Sequence, residues 1–439
     1  MAVAAVLLAP PAALWAQQSQ PGNAGADQSQ PAGPTEAKGG KPFLEELPFD
    51  LHGFWELRGG VRTLEDKHQS KDATLGETRF QLEPSKVTDY AELRAKADFL
   101  YDAVRERADV DVREFNALLT PAKFLDVKIG RQILTWGTGD YLFINDLFPK
   151  DYKSFFLGRN DEYLKAPSDA VKVSAYSDLV NVDLVYTPRF NPDRFIDGER
   201  ISYFNPQLGR LAGEDAKVRV RTRNDWFEDS ETALRLSRDI GGYDVALYGY
   251  EGFWKDPVGF DPSSGRATFP RLGAYGASAR GNVWKGIGHV EAGYYDSRDD
   301  GGGRNPFIPN SQLRFLVGYE REVAKDFTVG GQYYLEHMMD YDAYRRSLPA
   351  GSPPADENRH VLTLRLTKLA MYQNLRVSLF LFYSPSDNDA YLRPNVHYRI
   401  NDHWSVEGGA NVFVGQSSHT SFGQFRNDTE VYVGVRYSF

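Results

Sequence analysis

Apolar and polar residues alternate along most of the chain from residue 49 onward, in segments of about ten residues. In the first segment, Phe49–Arg62, odd-numbered positions carry mainly apolar residues or glycine, whereas the even-numbered positions include Glu56 and Arg58. A period of two is typical of β-strands that have one face in an apolar environment and the other in a polar one. Tyr90–Tyr101 and Glu430–Phe439 repeat the pattern, so the sequence predicts an all-β fold.

Short and long connections alternate between the predicted strands. Short turns are expected at 120–123, 177–181, 239–242, 285–288, 324–326, 372–374 and 401–402, and long polar loops at 137–166, 191–229, 255–270, 296–310 and 340–357. A soluble β-sandwich also alternates in sequence, but its connections should mix lengths. The asymmetry favours a transmembrane antiparallel up-and-down β-barrel with short periplasmic turns and long extracellular loops. Dividing the stretch 77–102 into two strands at 84–88 brings the total to about 18 strands. This is an even number, as bacterial single-chain barrels require.

The first 47 residues predict export rather than a folded domain. Residues 1–16 form an apolar run with the length of a signal-peptide core, too short for a spanning helix, and without the basic segment that normally precedes it. We expect a signal peptide truncated at its start. Residues 17–47 are rich in Gln, Ser, Pro, Gly and Ala, which predicts a disordered linker. The barrel is then assigned to 48–439, in the outer membrane of a Gram-negative bacterium.

Composition agrees with a barrel and excludes several other classes. The 439 residues include no cysteine, so disulfides and thiolate metal sites are excluded. A mean hydropathy of −0.50 argues against a helical membrane protein, whereas a barrel averages its two faces. The net charge of −9 argues against nucleic acid as a partner. Aromatic residues near predicted strand ends, including Trp136, Trp254 and Tyr295, are expected to form girdles at the membrane interfaces.

One stretch carries a resemblance to a known family. Leu125–Gly137 reads LDVKIGRQILTWG and is followed by a loop rich in Asp, Asn and Pro. It resembles the GRQ-x-x-x-WG strand of a family of Gram-negative outer-membrane barrels that is similar to the alginate-export porins. The matching residues are Gly130, Arg131, Gln132, Trp136 and Gly137. The resemblance implies an outer-membrane channel of about this size and leaves its substrate open.

The polar faces of the predicted strands supply candidate pore-lining side chains. Basic and acidic residues on these faces are nearly balanced, which favours cross-strand ion pairs around a wet interior over a dedicated polyanion path. Strict alternation would point Arg131 at lipid, so we expect a bulge at Gly130 or a position near the membrane interface. The pore-lining candidates are Glu56, Arg58, Arg62, Arg94, Lys96, Arg113, Lys128, Arg235, Arg314, Arg365, Arg376, Arg399 and Arg436.

Two long loops are candidates for a constriction. Residues 138–166 contain apolar clusters around Phe143 and at Phe155-Phe156, which is unusual for a solvated loop. We expect this loop to fold inward or pack on the rim, with an outer loop that binds a partner or lipopolysaccharide as the alternative. Lys217–Arg223 predicts a basic hairpin arm. Its Arg219, Arg221 and Arg223 would either form a constriction for anions or meet lipopolysaccharide phosphates above the membrane.

Motifs for catalysis, metals and cofactors are absent from the sequence. It has no G-x-S-x-G, H-E-x-x-H, P-loop or dinucleotide motif, and only calcium binding at 296–303 stays open. We therefore predict no enzyme activity, no cofactor and no metal. The predicted function is a porin-like channel for a polar or amphipathic solute. The alternatives are an export porin for an anionic, alginate-like polysaccharide and a non-conducting barrel that scaffolds an envelope transport complex. The expected partners are outer-membrane lipid, lipopolysaccharide, the solute and, for the scaffold, that complex.

Overall fold

A closed β-barrel accounts for most of the chain. The computed structural model describes residues 47–439, so the predicted signal peptide and almost all of the predicted linker lie outside the described residues. Eighteen strands form one antiparallel sheet, and the first strand pairs with both the second and the last. The prediction of an antiparallel up-and-down barrel of about 18 strands is confirmed.

The element bounds place two small hairpins and two short helices in the connections. The strands are β1 Asp50–Arg62, β2 Ala73–Val87, β3 Ala91–Asp102, β4 Arg107–Ala122, β5 Leu125–Ile133, β6 Pro167–Ala175, β7 Asn181–Thr187, β8 Tyr203–Asn205, β9 Arg210–Ala212, β10 Glu231–Ile240, β11 Tyr243–Phe253, β12 Gly259–Asp261, β13 Arg266–Thr268, β14 Arg271–Val283, β15 Gly286–Ser297, β16 Gln312–Ala324, β17 Phe327–Met338, β18 Asn358–Ala370, β19 Leu375–Ser384, β20 Asp389–Arg399, β21 Trp404–Val414 and β22 Glu430–Ser438. The helices are α1 Tyr152–Phe156 and α2 Tyr341–Ser347. Hairpins β8–β9 and β12–β13 stand outside the barrel sheet.

The connections differ between the two ends of the barrel, as predicted. Turns such as 241–242, 284–285 and 325–326 lie at the end that also holds the C-terminal residue, here called the inner end. The long loops 134–166 and 188–230 leave the opposite, outer end. β2 continues through the predicted break and turns only after Val87.

The alternation of sequence becomes an alternation of barrel faces. On β1, Trp55 and Leu57 are exposed on the outside, whereas Glu56 and Arg58 are buried inside. An outward apolar row and an inward polar row are what a barrel wall in lipid requires. No helix among residues 47–439 is long and apolar enough to cross a membrane.

The buried apolar core lies inside the barrel rather than between layers of sheet. It joins side chains of loop 134–166 to inward residues of the wall. The expected interfacial position is wrong for Trp136, Trp254 and Tyr295, because the last two are buried in this core and Trp136 packs against it. The Trp136 ring lies 4.9 Å from the ring of Phe148, a residue of the loop. Interior packing has therefore drawn these rings away from the lipid face.

Arg131 lies on the outer face of β5, and its partner is on β6. The expected bulge at Gly130 is wrong, because the register between β4 and β5 is regular from Val127 to Arg131. The register shift lies in β4 instead, where Arg113 is skipped in pairing with β3. Arg131 Nε and Nη2 each donate to Asp169 at 2.8 Å, and Nη1 donates to the carbonyl of Val112 beside the shift. The charge is thus neutralised by a bidentate ion pair.

Candidate functional site in the barrel interior

Loop 134–166 folds into the lumen and carries its own local structure. Helix α1 begins after Asp151, whose carboxylate accepts a hydrogen bond from the Ser154 amide at 2.7 Å. A 3-10 turn, Asp161–Leu164, follows, and the Asn160 side chain caps it by accepting from the Glu162 amide. Side-chain capping of this kind satisfies amide groups that the ends of short helices leave free. The inward loop is therefore an ordered element.

Aromatic contacts hold the inward loop against one side of the wall. The Tyr141 ring lies 4.1 Å from the ring of Phe380, and the Phe155 and Phe156 rings lie 5.7 Å and 5.4 Å from that of Tyr391. All five residues are buried. The constriction candidate Phe143 is partly buried, with Lys150 Nζ 4.3 Å from its ring centroid. We expected this loop either to fold inward or to pack on the rim of the barrel. The structure shows that its aromatic residues fold inward.

An acidic turn of the inward loop sits on wall arginines. Arg393 of β20 donates to Asp161 at 3.0 Å, and Arg436 of β22 donates to Glu162 at 3.1 Å. Earlier in the loop, Asp140 pairs with Arg365 of β18. Three loop carboxylates thus neutralise three inward arginines on neighbouring parts of the wall.

The polarity reverses on the other side of the loop. Arg159 Nε donates to the carboxylate of Glu77 on β2 at 3.0 Å. On β15, Glu291 accepts from the Gly139 amide at 2.7 Å and from Asn145 Nδ2 at 2.8 Å. Because these wall acids bind loop donors while wall arginines bind loop acids, the inward loop is fastened by charges of both signs.

Tyr163 is clamped between two arginines of the wall. The Cζ atoms of Arg79 and Arg113 lie 4.1 Å and 4.4 Å from its ring centroid. Arg113 also donates to the carbonyl oxygens of Glu162 and Lys165. A desolvated cation above an aromatic face is worth about 2 kcal/mol, so this clamp is a main anchor of the loop.

The pKa values of two loop carboxylates move in opposite directions. Burial raises the pKa of Asp140 to about 6, although Arg365 opposes the shift. Burial also acts to raise the pKa of Glu162, but the charges of Arg436 and other cations outweigh it and lower the pKa below its ordinary value. The Glu162 charge is therefore favoured in the docked loop, whereas the Asp140 charge is costly there.

The predicted pore-lining residues fall into two groups. Arg58, Arg113, Arg365 and Arg436 contact the inward loop directly, and Arg58 does so through the Gly158 carbonyl at 2.6 Å. Most others pair along the wall, and their role in a conducting pore stays a prediction. The wall contacts are Glu56 with Arg58 and Arg436, Arg62 with Asp428, Arg94 with Glu92, Lys96 with Glu83, Lys128 with Glu114, Arg235 with Asp183 and Asp244, Arg314 with Glu336, and Arg399 with Asn374, while Arg376 lies opposite His397.

The basic segment of loop 188–230 does not form the expected hairpin arm. Its one ladder contact is a single parallel bridge between Val220 and Ala267. Val220 packs on a small aromatic cluster, which holds the segment beside β13 rather than in a hairpin of its own. Arg219 and Arg221 are exposed, and Arg223 lies over the Phe253 ring and pairs with Asp229. Their role in solute passage stays a prediction.

Cavities between the inward loop, the wall and the outer loops differ widely in volume. The outer cavity, about 890 Å³, is lined mainly by the long loops, and the inner cavity, about 230 Å³, reaches the short turns. A middle cavity of about 20 Å³ lies between the inward loop and the wall. Asp161 borders the middle cavity and its neighbour Asn160 borders the inner one. The outer cavity shares no lining residue with the other two, and the inward loop borders all three, through Phe156, Asp161 and Asn160.

The residues of the GRQ-x-x-x-WG stretch support the inward loop. They do not line one cavity together. Gln132 is fully buried and donates to the Ala170 carbonyl at 3.0 Å, and Trp136 packs on Phe148. Gly137 has a φ of +81°, and a Cβ there would lie 3.1 Å from a Glu291 carboxylate oxygen. A side chain would therefore disturb the start of the inward loop.

Sequence reasoning missed Arg393 and Glu77, which bind the inward loop from β20 and β2. Both lie on inward rows that the alternation defines, since Tyr391 precedes Arg393 on the same face of β20. Pro394 interrupts the apolar side of that strand and hides the period of two. Among residues 47–439, no group of three or more His, Asp or Glu side chains is placed to hold a metal ion.

Comparison with known proteins identifies the fold. No protein-family model and no curated protein matches the chain. Among solved structures, OccK11 (OpdR) of Pseudomonas aeruginosa is similar with a TM-score of 0.53 and 11% identity, over 90% of this chain and 97% of that chain. The chain has a porin fold. OccAB3 of Acinetobacter baumannii has a TM-score of 0.53 and 9% identity, over 89% of this chain and 98% of that chain. OccD3 (OpdP) of P. aeruginosa has a TM-score of 0.51 and 10% identity, over 89% of this chain and 91% of that chain. At these identities the porin fold is the shared property.

Proposed function

We propose that this chain is a channel in the outer membrane of a Gram-negative bacterium, through which a small polar or amphipathic solute passes. Barrels of 16–18 strands enclose more space than their inward side chains fill. Here that space holds the inward loop and the cavities on both sides of it. The observation that carries the proposal is that an inward loop, and not the wall alone, borders all of these cavities.

The inward loop acts as the constriction of the proposed channel. The middle cavity, about 20 Å³, has room for about one water molecule. A larger solute therefore needs the turn at 158–164 to move. Side-chain contacts hold this turn to the wall, whereas the wall strands are joined by continuous backbone ladders. The turn can yield while the barrel stays closed.

Two other functions differ in what they require of the loop. An export porin for an anionic, alginate-like polysaccharide would need the whole inward loop displaced, because a polymer must thread a continuous path. A scaffold for an envelope transport complex would keep the loop docked and would not conduct. Outer-membrane lipid and lipopolysaccharide surround the barrel in all three cases. Absence of enzyme activity stays a prediction.

Conductance in planar bilayers tests the proposal. The full chain should give stable single-channel currents, and deletion of 141–157 should raise the conductance severalfold, because it removes the buried part of the inward loop that supports the turn at 158–164. Deletion of 341–347 is the matched control, since helix α2 has no buried residue and lies in an outer loop. It should leave the conductance unchanged. Folded barrels that never conduct, with or without 141–157, would overturn the channel and favour the scaffold.

A further inference from the structure

Aromatic rings from four separate loops converge on the outer cavity, and the inward loop supplies Tyr152 and Phe156. Phe195 and Phe204 come from loop 188–230, Phe260 from hairpin β12–β13, and Phe425 from loop 415–429. The cavity of about 890 Å³ opens at the end of the barrel that faces water. Loops in that position are normally lined by polar residues, so a concave apolar lining there indicates a ligand site.

Contacts between loops fix two of these rings. The Phe204 amide donates to Gln424 Oε1 at 3.1 Å, and the ring lies 6.0 Å from that of His419. The Phe260 amide donates to the Phe307 carbonyl at 2.9 Å, and their rings lie 5.9 Å apart. Because the loops are held by one another, the rings are positioned before a ligand arrives. Preorganisation of this kind lowers the entropic cost of binding.

In the described part of the chain, the cavity lining contains one basic group that has no partner and three acidic groups. Asp256 is one of these acids, and burial raises its pKa, which favours the neutral carboxyl. Asp215 accepts from Arg210 at 2.8 Å and from the Gly213 amide at 2.8 Å, so its carboxylate is occupied. Glu214 accepts from Ser70 at 3.0 Å. Arg219 lines the cavity and is exposed, and among residues 47–439 its side chain has no hydrogen-bond or ion-pair partner. A bound anionic group would supply the partner that Arg219 lacks.

We propose that the outer cavity binds an amphiphile that has several fused or linked rings and one anionic group. The rings would stack on Phe204 and Phe260, and the anionic group would pair with Arg219. The volume falls in the range of about 300–1,000 Å³ that encloses drug-sized ligands, which is larger than a single-ring solute needs. The proposal deepens the proposed function by naming a solute class, but binding itself does not depend on conduction.

Two dyes with the same three-ring scaffold and opposite charge test this site. Fluorescence anisotropy of fluorescein, an anion, and of rhodamine 123, a cation whose carboxyl group is a methyl ester, is titrated with the purified full chain in detergent. Fluorescein should bind with a Kd at least tenfold below that of rhodamine 123. F204A and F260A should each weaken fluorescein binding about tenfold, and R219Q should remove the difference between the dyes. W226A is the matched control, because Trp226 is exposed outside the cavity and should have no effect.

The outcomes separate this proposal from the proposed function. Equal binding of the two dyes, or equal loss in W226A and F204A, would overturn the site, since both results indicate adsorption to detergent or surface. Fluorescein binding that meets the expectations, by a chain that does not conduct, would retain the site and overturn the channel. A chain that conducts but binds no fluorescein would retain the channel and overturn the site.

Discussion

Arg393 on the barrel wall donates a hydrogen bond at 3.0 Å to Asp161 on the inward loop. Both residues line the middle cavity, so the bond joins the loop to the wall at that cavity. The adjacent Glu162 pairs with Arg436, and Arg159 pairs with Glu77 in the reverse sense. Within four residues, the loop therefore neutralises wall charges of both signs. Removing the acidic loop residues and removing the basic one should therefore shift ion selectivity in opposite directions.

We expect the double variant D161N/E162Q to shift the channel towards anions. It leaves Arg393 and Arg436 without their loop carboxylates, and uncovered cations along a pore favour anions. The reversal potential in a tenfold KCl gradient should move towards the chloride potential, together with a rise in conductance.

The matched variant R159Q changes a loop residue of the opposite charge. It removes one of the three cations around Glu77, which keeps Arg79 and Arg200, and it should therefore move the reversal potential slightly towards that of potassium. Shifts of the same sign in R159Q and D161N/E162Q would show that the loop acts only by its bulk and that its ion pairs do not set selectivity.

Replacing Tyr163 should destabilise the docked loop. Y163A removes the ring held between Arg79 and Arg113 and leaves a cavity between two buried arginines. Large aromatic-to-alanine changes cost about 3–5 kcal/mol, and we expect that loss in the free energy of unfolding in lipid vesicles. Y163F keeps the ring and loses a weak contact with Gln81 at 3.3 Å, so it should cost less than about 1 kcal/mol. Equal losses in the two variants would rule out the ring as the anchor.

Conductance should fall as the pH is lowered from 7 to 5. Docking raises the pKa of Asp140 from an ordinary 3.8 to about 6, because the carboxyl is buried. The docked loop therefore binds this proton more tightly than a released loop does, and acidification through pH 6 favours docking. D140N should remove the dependence in this window. A wild-type conductance that rises between pH 7 and 5 would contradict the assigned direction.

The outward ion pair of Arg131 and Asp169 should be coupled. R131Q leaves Asp169 without its bidentate partner on the outer face, which we expect to cost about 1–3 kcal/mol of unfolding free energy in lipid. The double variant R131Q/D169N should recover most of that loss. A double-mutant cycle measured by urea unfolding in vesicles checks this, and purely additive losses would mean that the pair contributes nothing.

The barrel wall could be predicted because its physics is local. Each strand shows its two faces within about ten residues, as Glu56 and Arg58 do beside Trp55 and Leu57. Strand order followed from the alternation of short and long connections. Aromatic side chains were harder to place: Trp254 and Tyr295 satisfy the sequence pattern of an interfacial girdle, yet the inward loop offers them an apolar interior.

The interior site could be predicted only in part. The apolar content of 138–166 indicated an inward loop, but its partners lie far away in sequence, 82 residues for Arg159 and Glu77 and 232 residues for Asp161 and Arg393. Contacts of that separation depend on the path of the loop and have no periodic signal in the sequence. Likewise, the outer cavity is formed by four loops together. The predicted hairpin at 217–223 is wrong, because Val220 packs on the cluster of Phe190, Phe253 and Phe269 instead.

A reversible crosslink between the loop and the wall tests the central claim most directly. A Cβ atom on Gly158 would lie 2.9 Å from Cγ of Tyr432, so the Cβ atoms of G158C/Y432C should come within the distance of about 3.5–4.5 Å that a disulfide spans. The chain has no other cysteine, so the pair cannot be misassigned. Single-channel current through G158C/Y432C should be nearly abolished when oxidised and restored by dithiothreitol, while each single cysteine variant stays insensitive. An oxidised, crosslinked barrel that conducts as well as the reduced one would contradict the claim that solutes pass only when the inward loop yields.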